Sequence, residues 1–212
     1  MKKILNQIFT REKLWRCIFI AVIPAALFYG FSLLGLRSRG FAIMEILRDT
    51  AQQNDVSSFI GFLSNIGVWL WVSSVAICSF TVLTSDFLTD KKRRELLILS
   101  GILSFFLAVD DFFMIHDRYI NQDYCYLAYA ILTSALLIRH YKTILEIEGF
   151  AFLLAGLLLA SSILTDLTQS YNPLSYHHVQ VFEEGFKFIG AATWLYYISR
   201  VASFRPVTFV ES

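Results

Sequence analysis

Charge is what this sequence has least of: 17% of its residues are charged, 56% are hydrophobic, and its mean hydropathy is +0.57. A water-soluble domain carries about 25% charged residues, so a soluble globular chain is excluded. Cysteine is equally scarce. Cys17, Cys78 and Cys125 stand alone with no CxxC pair, which leaves no disulfide framework and makes them packing residues. Of the three prolines, Pro24, Pro173 and Pro206, only Pro24 lies well inside an apolar run, so the paired broken helices of alternating-access transporters are not signalled. The metal-ligand patterns HExxH, ExxH and HxxxH are absent. A net charge of +1 names no partner, and no nucleic-acid footprint is visible.

What is present is a succession of apolar runs of about 20 residues, the length that crosses a bilayer core. They imply an all-α, polytopic membrane bundle of six spans, at about 14–36, 58–85, 95–116, 124–138, 150–170 and 179–199. With no repeat or linker, residues 1–212 read as a single membrane domain. Basic residues fall on one side of this arrangement: Lys2, Lys3, Arg11, Lys13 and Arg16 precede span one, and Lys91, Lys92, Arg93 and Arg94 separate spans two and three. Arg139 and Lys142 follow span four, and Arg200 and Arg205 follow span six. The positive-inside rule then places both termini in the cytoplasm; Arg37, Arg39, Arg48 and Arg118 are the exceptions. The first apolar run is long enough to stay as an uncleaved anchor. Residues 41–53 alternate as an amphipathic helix lying in the outer interface, and the four tryptophans read as belt and lipid-facing residues.

The stretch AVDDFFMIHD, residues 108–117, is out of place in such a chain. An unpaired charge in the hydrocarbon costs about 2.5 kcal/mol or more, so intramembrane carboxylates face a bundle interior or a wet cavity and mark function. On an unbroken helix Asp110 lies about 10 Å below Asp117 and shares its face, while Asp111 and His116 point elsewhere. Span six adds YHHVQVFEEGFKFIG, where Glu183 and Glu184 precede Lys187 at spacings that let side chains on one helix meet. Span five adds Asp166, and span two adds Asn65. Together Asp110, Asp111, Asp117, Asp166, Glu183 and Glu184 face Lys187, Arg118, His116, His177 and His178, a cluster short of positive charge.

Protonation of some carboxylates would settle the excess, and so would a bound cation. Carboxylate mixed with imidazole suits zinc, manganese or iron, whereas carboxylates alone suit calcium or magnesium. The histidines favour a transition metal. The expected ligands are Asp110, His116, Glu183 and His178; Asp111 and Glu184 are the expected bases, supported by Lys187, Asp117, Asp166 and Asn65.

DDFFMIHD followed by EEGFKFIG resembles a widespread group of uncharacterised bacterial polytopic membrane proteins with D-[D/E]-x4-H-[D/E] on one span and E-E-x2-[E/K]-x2-G on a later one. The resemblance covers two of the six spans and implies a bacterial inner-membrane protein in which those acids and His116 act as a set. A looser likeness is to the alkaline ceramidase and adiponectin-receptor superfamily of seven-span zinc hydrolases. This chain departs from it in span number and in lacking a His-x3-His pair. The expected function is a metal-dependent hydrolase acting on a lipid-like substrate from the extracytoplasmic side. The alternatives are a cation channel or transport protein with Asp110 and Asp111 at its outer mouth, built as a homo-oligomer, and a membrane sensor or assembly factor.

Overall fold

The computed structural model describes residue 19 and residues 23–47, 54–57, 59–84, 91–169 and 176–204. Much of the first half of the first expected span, Cys17, residues 48–53 of the expected interfacial helix and the segment around Pro173 lie outside the described residues. Among the described residues all regular structure is helical, with no strand. The chain divides into two compact units, Met1–Ile60 and Gly61–Ser212.

In the first unit, α1 (Ile23–Ser38) is followed by α2 (Ile43–Leu47). α1 ends where Gly40 takes φ 96°, a left-handed conformation that a side chain rarely adopts. There Phe41 N donates to Leu36 O and Gly40 N to Arg37 O, the paired bonds that satisfy the last carbonyls of a helix. α2 begins where the Glu45 carboxylate reaches back to accept from Ala42 N at 2.6 Å, and it covers five residues of the interfacial helix expected over 41–53.

The second unit holds α3 (Phe62–Thr84), α4 (Lys91–Phe113), α5 (Ile115–Arg118), α6 (Gln122–Leu167) and α7 (Tyr176–Ser203). α3, α4 and α6 are long and apolar enough to cross a membrane. α6 runs through 46 residues, which as a straight helix would place Tyr126 and Asp166 about 60 Å apart. Instead the Tyr126 hydroxyl donates to Asp166 Oδ2 at 2.8 Å. The helix is folded back on itself at two points of non-helical backbone, His140 and Glu148, giving a hairpin whose arms run over about 122–139 and 149–167. Its charged turn is pinned to neighbours, Arg139 Nε to Glu95 Oε1 at 2.6 Å and Arg200 Nε to Glu148 Oε2 at 3.5 Å.

α4 and α7 run antiparallel in a fixed register. Lys187 lies opposite Asp111, Trp194 Nε1 donates to Ser104 Oγ at 2.8 Å, and Arg93 NH1 donates to Phe204 O at 2.6 Å. α7 also lies hard against the second arm of α6, because Gly190 has no side chain: a Cβ there would meet Leu159 Cγ at 2.9 Å and Leu158 Cβ at 3.3 Å. The core built around this contact includes Leu96, Leu97, Ile144, Ala155, Tyr197, Ile198 and Val201. At its centre Phe152, Trp194 and Tyr197 form an aromatic trio, with ring centroids 5.2–5.8 Å apart. The tryptophans do not behave as one class. Trp71 and Trp194 are buried, at 1% and 3% exposure, and only Trp69 of the three described is exposed as a belt residue would be.

Candidate functional site

The site begins with a helix break. α4 stops at Phe113 because Met114 adopts φ 52°, ψ 48°, a left-handed conformation costly for a residue with a Cβ. The chain turns there into the single turn of α5, whose first N–H groups need acceptors. Asp110 supplies one: its Oδ1 accepts from the backbone N of His116 at 2.9 Å. The same oxygen lies 2.9 Å from His116 Nδ1, and Oδ2 accepts from the Tyr129 hydroxyl at 2.7 Å. Asp110 is 5% exposed and held from three sides.

This arrangement overturns the geometry expected from an unbroken helix. His116, expected to point away from Asp110, meets it through both its backbone N and its ring, because the left-handed Met114 interrupts the helix after Phe113. The expectation that Asp110 and Asp117 share one helix face rested on an unbroken helix, and α4 ends at Phe113. The Asp117 side chain lies outside the described residues.

Asp111 faces the neighbouring helices. Trp71 Nε1 on α3 donates to its Oδ2 at 2.9 Å, and Lys187 Nζ on α7 stands 3.8 Å from its Oδ1. Lys187 also donates to Glu184 Oε1 at 2.9 Å, the contact between neighbours on one helix anticipated from their spacing. Glu183 Oε2 accepts from Gln180 Nε2 at 2.8 Å. These groups border a cavity of about 260 Å³ bounded by α3, α4, α5, both arms of α6 and α7. Asp110, Asp111, His116, Tyr126, Tyr129, Asp166, Glu183 and Lys187 line it at one end, and Leu103, Leu107, Phe152, Leu159 and Trp194 line its deeper walls.

Between the arms of α6 the cavity is lined by small residues. Ala130, Ser134 and Ala160 line the cavity there with small, solvent-accessible side chains.

Two of the expected site residues are placed elsewhere. His178 and Asn65 are exposed and are not among the cavity-lining residues, His178 because it sits in the first turn of α7 and Asn65 because it sits in the first turn of α3. Glu184 reaches the cavity only through Lys187. The expected ligand set of Asp110, His116, Glu183 and His178 is therefore divided, and among the described residues no three His, Cys, Asp or Glu side chains converge as metal ligands. The donor atoms are instead engaged by organic partners: His116 and Tyr129 at Asp110, Gln180 at Glu183.

A family profile described as a domain of unknown function, DUF8692, matches residues 16–201. The chain belongs to this family. The matched segment takes in α3 to α6 whole and nearly all of α7, so the cavity is built entirely from residues the family spans. No curated protein and no solved structure matches the chain.

Three side chains of the family segment were not singled out from sequence: Trp71, Tyr126 and Tyr129. Trp71 was hidden among residues expected at the interface. Tyr126, Tyr129 and Thr133 line the cavity at positions one and two turns apart. That file of hydroxyls on one face of an apolar helix was a readable sign of a polar interior.

Proposed function

We propose that the chain is a six-span membrane protein with both termini cytoplasmic, whose cavity takes a lipid-like amphiphile sideways from the bilayer and hydrolyses an ester or amide bond within it. The two arms of α6 supply spans four and five, α7 supplies span six with Glu183, Glu184 and Lys187 turned to the interior, and α1 belongs to span one. In this reading the site faces the extracytoplasmic side.

The observation that carries the reading is the Asp110–His116 pair at the polar end of a cavity with apolar walls. A carboxylate that accepts from Nδ1 fixes the imidazole tautomer and leaves the lone pair on Nε2, which makes His116 a general base. Tyr129 holds the other oxygen of Asp110, so the carboxylate is fixed in orientation. His116 Nε2 takes a proton from water as the water oxygen bonds to the substrate carbonyl carbon. The imidazolium then returns that proton to the departing alcohol or amine as the carbon–heteroatom bond breaks. Lys187, held between Asp111 and Glu184, donates to the carbonyl oxygen as it gains charge. Asp111 and Glu184 serve as its anchors rather than as bases, and the steps require no metal.

The small, accessible lining residues Ala130, Ser134 and Ala160 on the two arms of α6 support lateral entry. The floor of Phe152, Trp194 and Tyr197 favours a closed pocket over an ion pathway. The reading is tested by reconstituting the protein with a panel of acyl esters and N-acyl amphiphiles and following products by mass spectrometry. Turnover is expected to drop about 10²–10⁴-fold in His116→Ala and to persist after chelator treatment. Equal turnover in wild type and His116→Ala would end the proposal, and loss of activity with stoichiometric metal would restore the metal hydrolase.

A further inference from the structure

Below the cavity floor three polar groups are buried with no hydrogen-bond partner among the described residues: Ser100 Oγ, Tyr197 OH and both ring nitrogens of His140. Their residues are 1%, 0% and 3% exposed. A buried polar group without a partner costs about 1–3 kcal/mol, and three in one small bundle call for a physical reason. They are also not scattered. In the antiparallel register of α4 and α7, the seven residues from Lys187 to Trp194 match the seven from Asp111 to Ser104. Three residues further along α7, Tyr197 therefore comes level with Gly101 and Ser100. Cys78, which lies against Gly101, closes this level from α3. Deeper still, His140 Nε2 stands 4.0 Å from Glu95 Oε2.

The polar groups thus form a file. The cavity extends from Asp111 and Lys187 down to Trp194, which donates to Ser104 Oγ. Ser104 Oγ in turn donates to the carbonyl of Ser100 at 2.8 Å. By helical rise, Ser104 to Ser100 is about 6 Å, Ser100 to Glu95 about 8 Å, and Asp111 to Glu95 about 24 Å in all, most of the thickness of a bilayer core. Steps of 6–8 Å are the span of one or two hydrogen-bonded waters, which bind where two to four polar groups converge.

We propose that this file is a proton path joining the cavity to the Glu95 end of the bundle, completed by ordered water between Ser104, Ser100, Tyr197 and His140. A proton arriving from the cavity is received by an oxygen of the file while that group releases its own proton to the next. At the last step one ring nitrogen of His140 accepts a proton and the other gives one up toward Glu95, which leaves His140 as its other tautomer; reorientation of the ring and of the hydroxyls and waters then resets the file, and one proton crosses for each that enters. The aromatic trio blocks ions and substrate but leaves room for this relay, because hydrogen bonds rather than molecules cross the floor. Glu95, which also pairs with Arg139, stands at the exit, where its side chain is 39% exposed. The inference goes beyond hydrolysis: the path would carry protons with no substrate present.

The experiment measures proton entry into vesicles holding purified protein and the pH dye pyranine, driven by a valinomycin–potassium potential, with no lipid substrate beyond the bilayer. Wild type is expected to pass protons faster than protein-free vesicles. Tyr197→Phe, which keeps the ring and removes only the unpartnered hydroxyl, is expected to fall to the protein-free leak, as is His140→Gln. Wild-type flux equal to protein-free vesicles overturns the proposal, and so does flux that survives in Tyr197→Phe. Should His140→Gln fail to fold, Tyr197→Phe decides alone, since losing an unsatisfied hydroxyl does not threaten the bundle. His116→Ala keeps the flux while losing hydrolysis, which separates failure here from failure of the cavity chemistry.

Discussion

Asp110→Ala is the most informative single change, because one carboxylate serves three donors. Its removal leaves the His116 backbone N–H, His116 Nδ1 and the Tyr129 hydroxyl without their acceptor. Each buried donor left unmet costs about 1–3 kcal/mol, which for three gives about 3–9 kcal/mol. The upper end is out of reach, since the His116 side chain keeps 17% of its exposure and can turn toward water. A loss of about 3–5 kcal/mol is expected, in line with breaking one member of a buried charged pair. The partners must also be coupled: Tyr129→Phe in the Asp110→Ala background should cost about 1–2 kcal/mol less than in wild type, because the hydroxyl it removes has already lost its acceptor. Reversible unfolding of the four proteins in mixed micelles, followed by tryptophan fluorescence, measures the cycle. Additivity within about 0.5 kcal/mol would refute the reasoning, for it would mean that Tyr129 and Asp110 do not act on each other.

The fold-back of α6 predicts that Tyr126→Cys and Asp166→Cys, introduced together after the native cysteines are replaced by serine, are joined by a short bis-maleimide cross-linker, detectable by gel mobility; a straight helix would leave them about 60 Å apart. Gly190→Ala should destabilise by about 1–3 kcal/mol through overpacking against Leu159, and Leu159→Ala should recover most of that in the same unfolding assay. Lys187→Met strands Asp111 and Glu184 and should lower stability, whereas adding Asp111→Asn should restore part of it. Ala160→Leu, which places a larger side chain against the cavity, should leave the fold intact and abolish capture of a photoreactive amphiphile by the protein in liposomes.

What the sequence revealed of the molecule was what depends on spacing within one helix. The Glu184–Lys187 contact follows from residues three apart, and the interior placement of Asp110 and Asp111 follows from the cost of a carboxylate in hydrocarbon. Pairings between helices were not legible. Trp71 meets Asp111, and Tyr126 meets Asp166, across forty residues each, and nothing local announces either contact. The break at Met114 was hidden for a different reason: methionine is an ordinary helix former, and only the acceptor offered by Asp110 to the next turn makes its left-handed backbone worthwhile. The charged segment between the arms of α6 reads as a loop from composition, yet it stays helical between two breaks because Glu95 and Arg200 neutralise Arg139 and Glu148.

A network of hydrogen bonds could exist purely to lock helices together, as the pairs that Glu95 makes with Arg139 and His140 do. Around Asp110, Asp111 and Lys187 the polar groups also border a cavity. A cavity of about 260 Å³ forgoes the packing contacts that a filled interior would make. Larger side chains at Ala130, Gly156 and Ala160 would restore them with no change to the Asp110, Asp111 or Lys187 contacts. Helix locking therefore explains the bonds but not the room beside them. An occupant that is apolar along the walls and polar at the His116 end explains both, since it recovers the lost packing and meets the carboxylates, the imidazole and Lys187 in the one place where they converge.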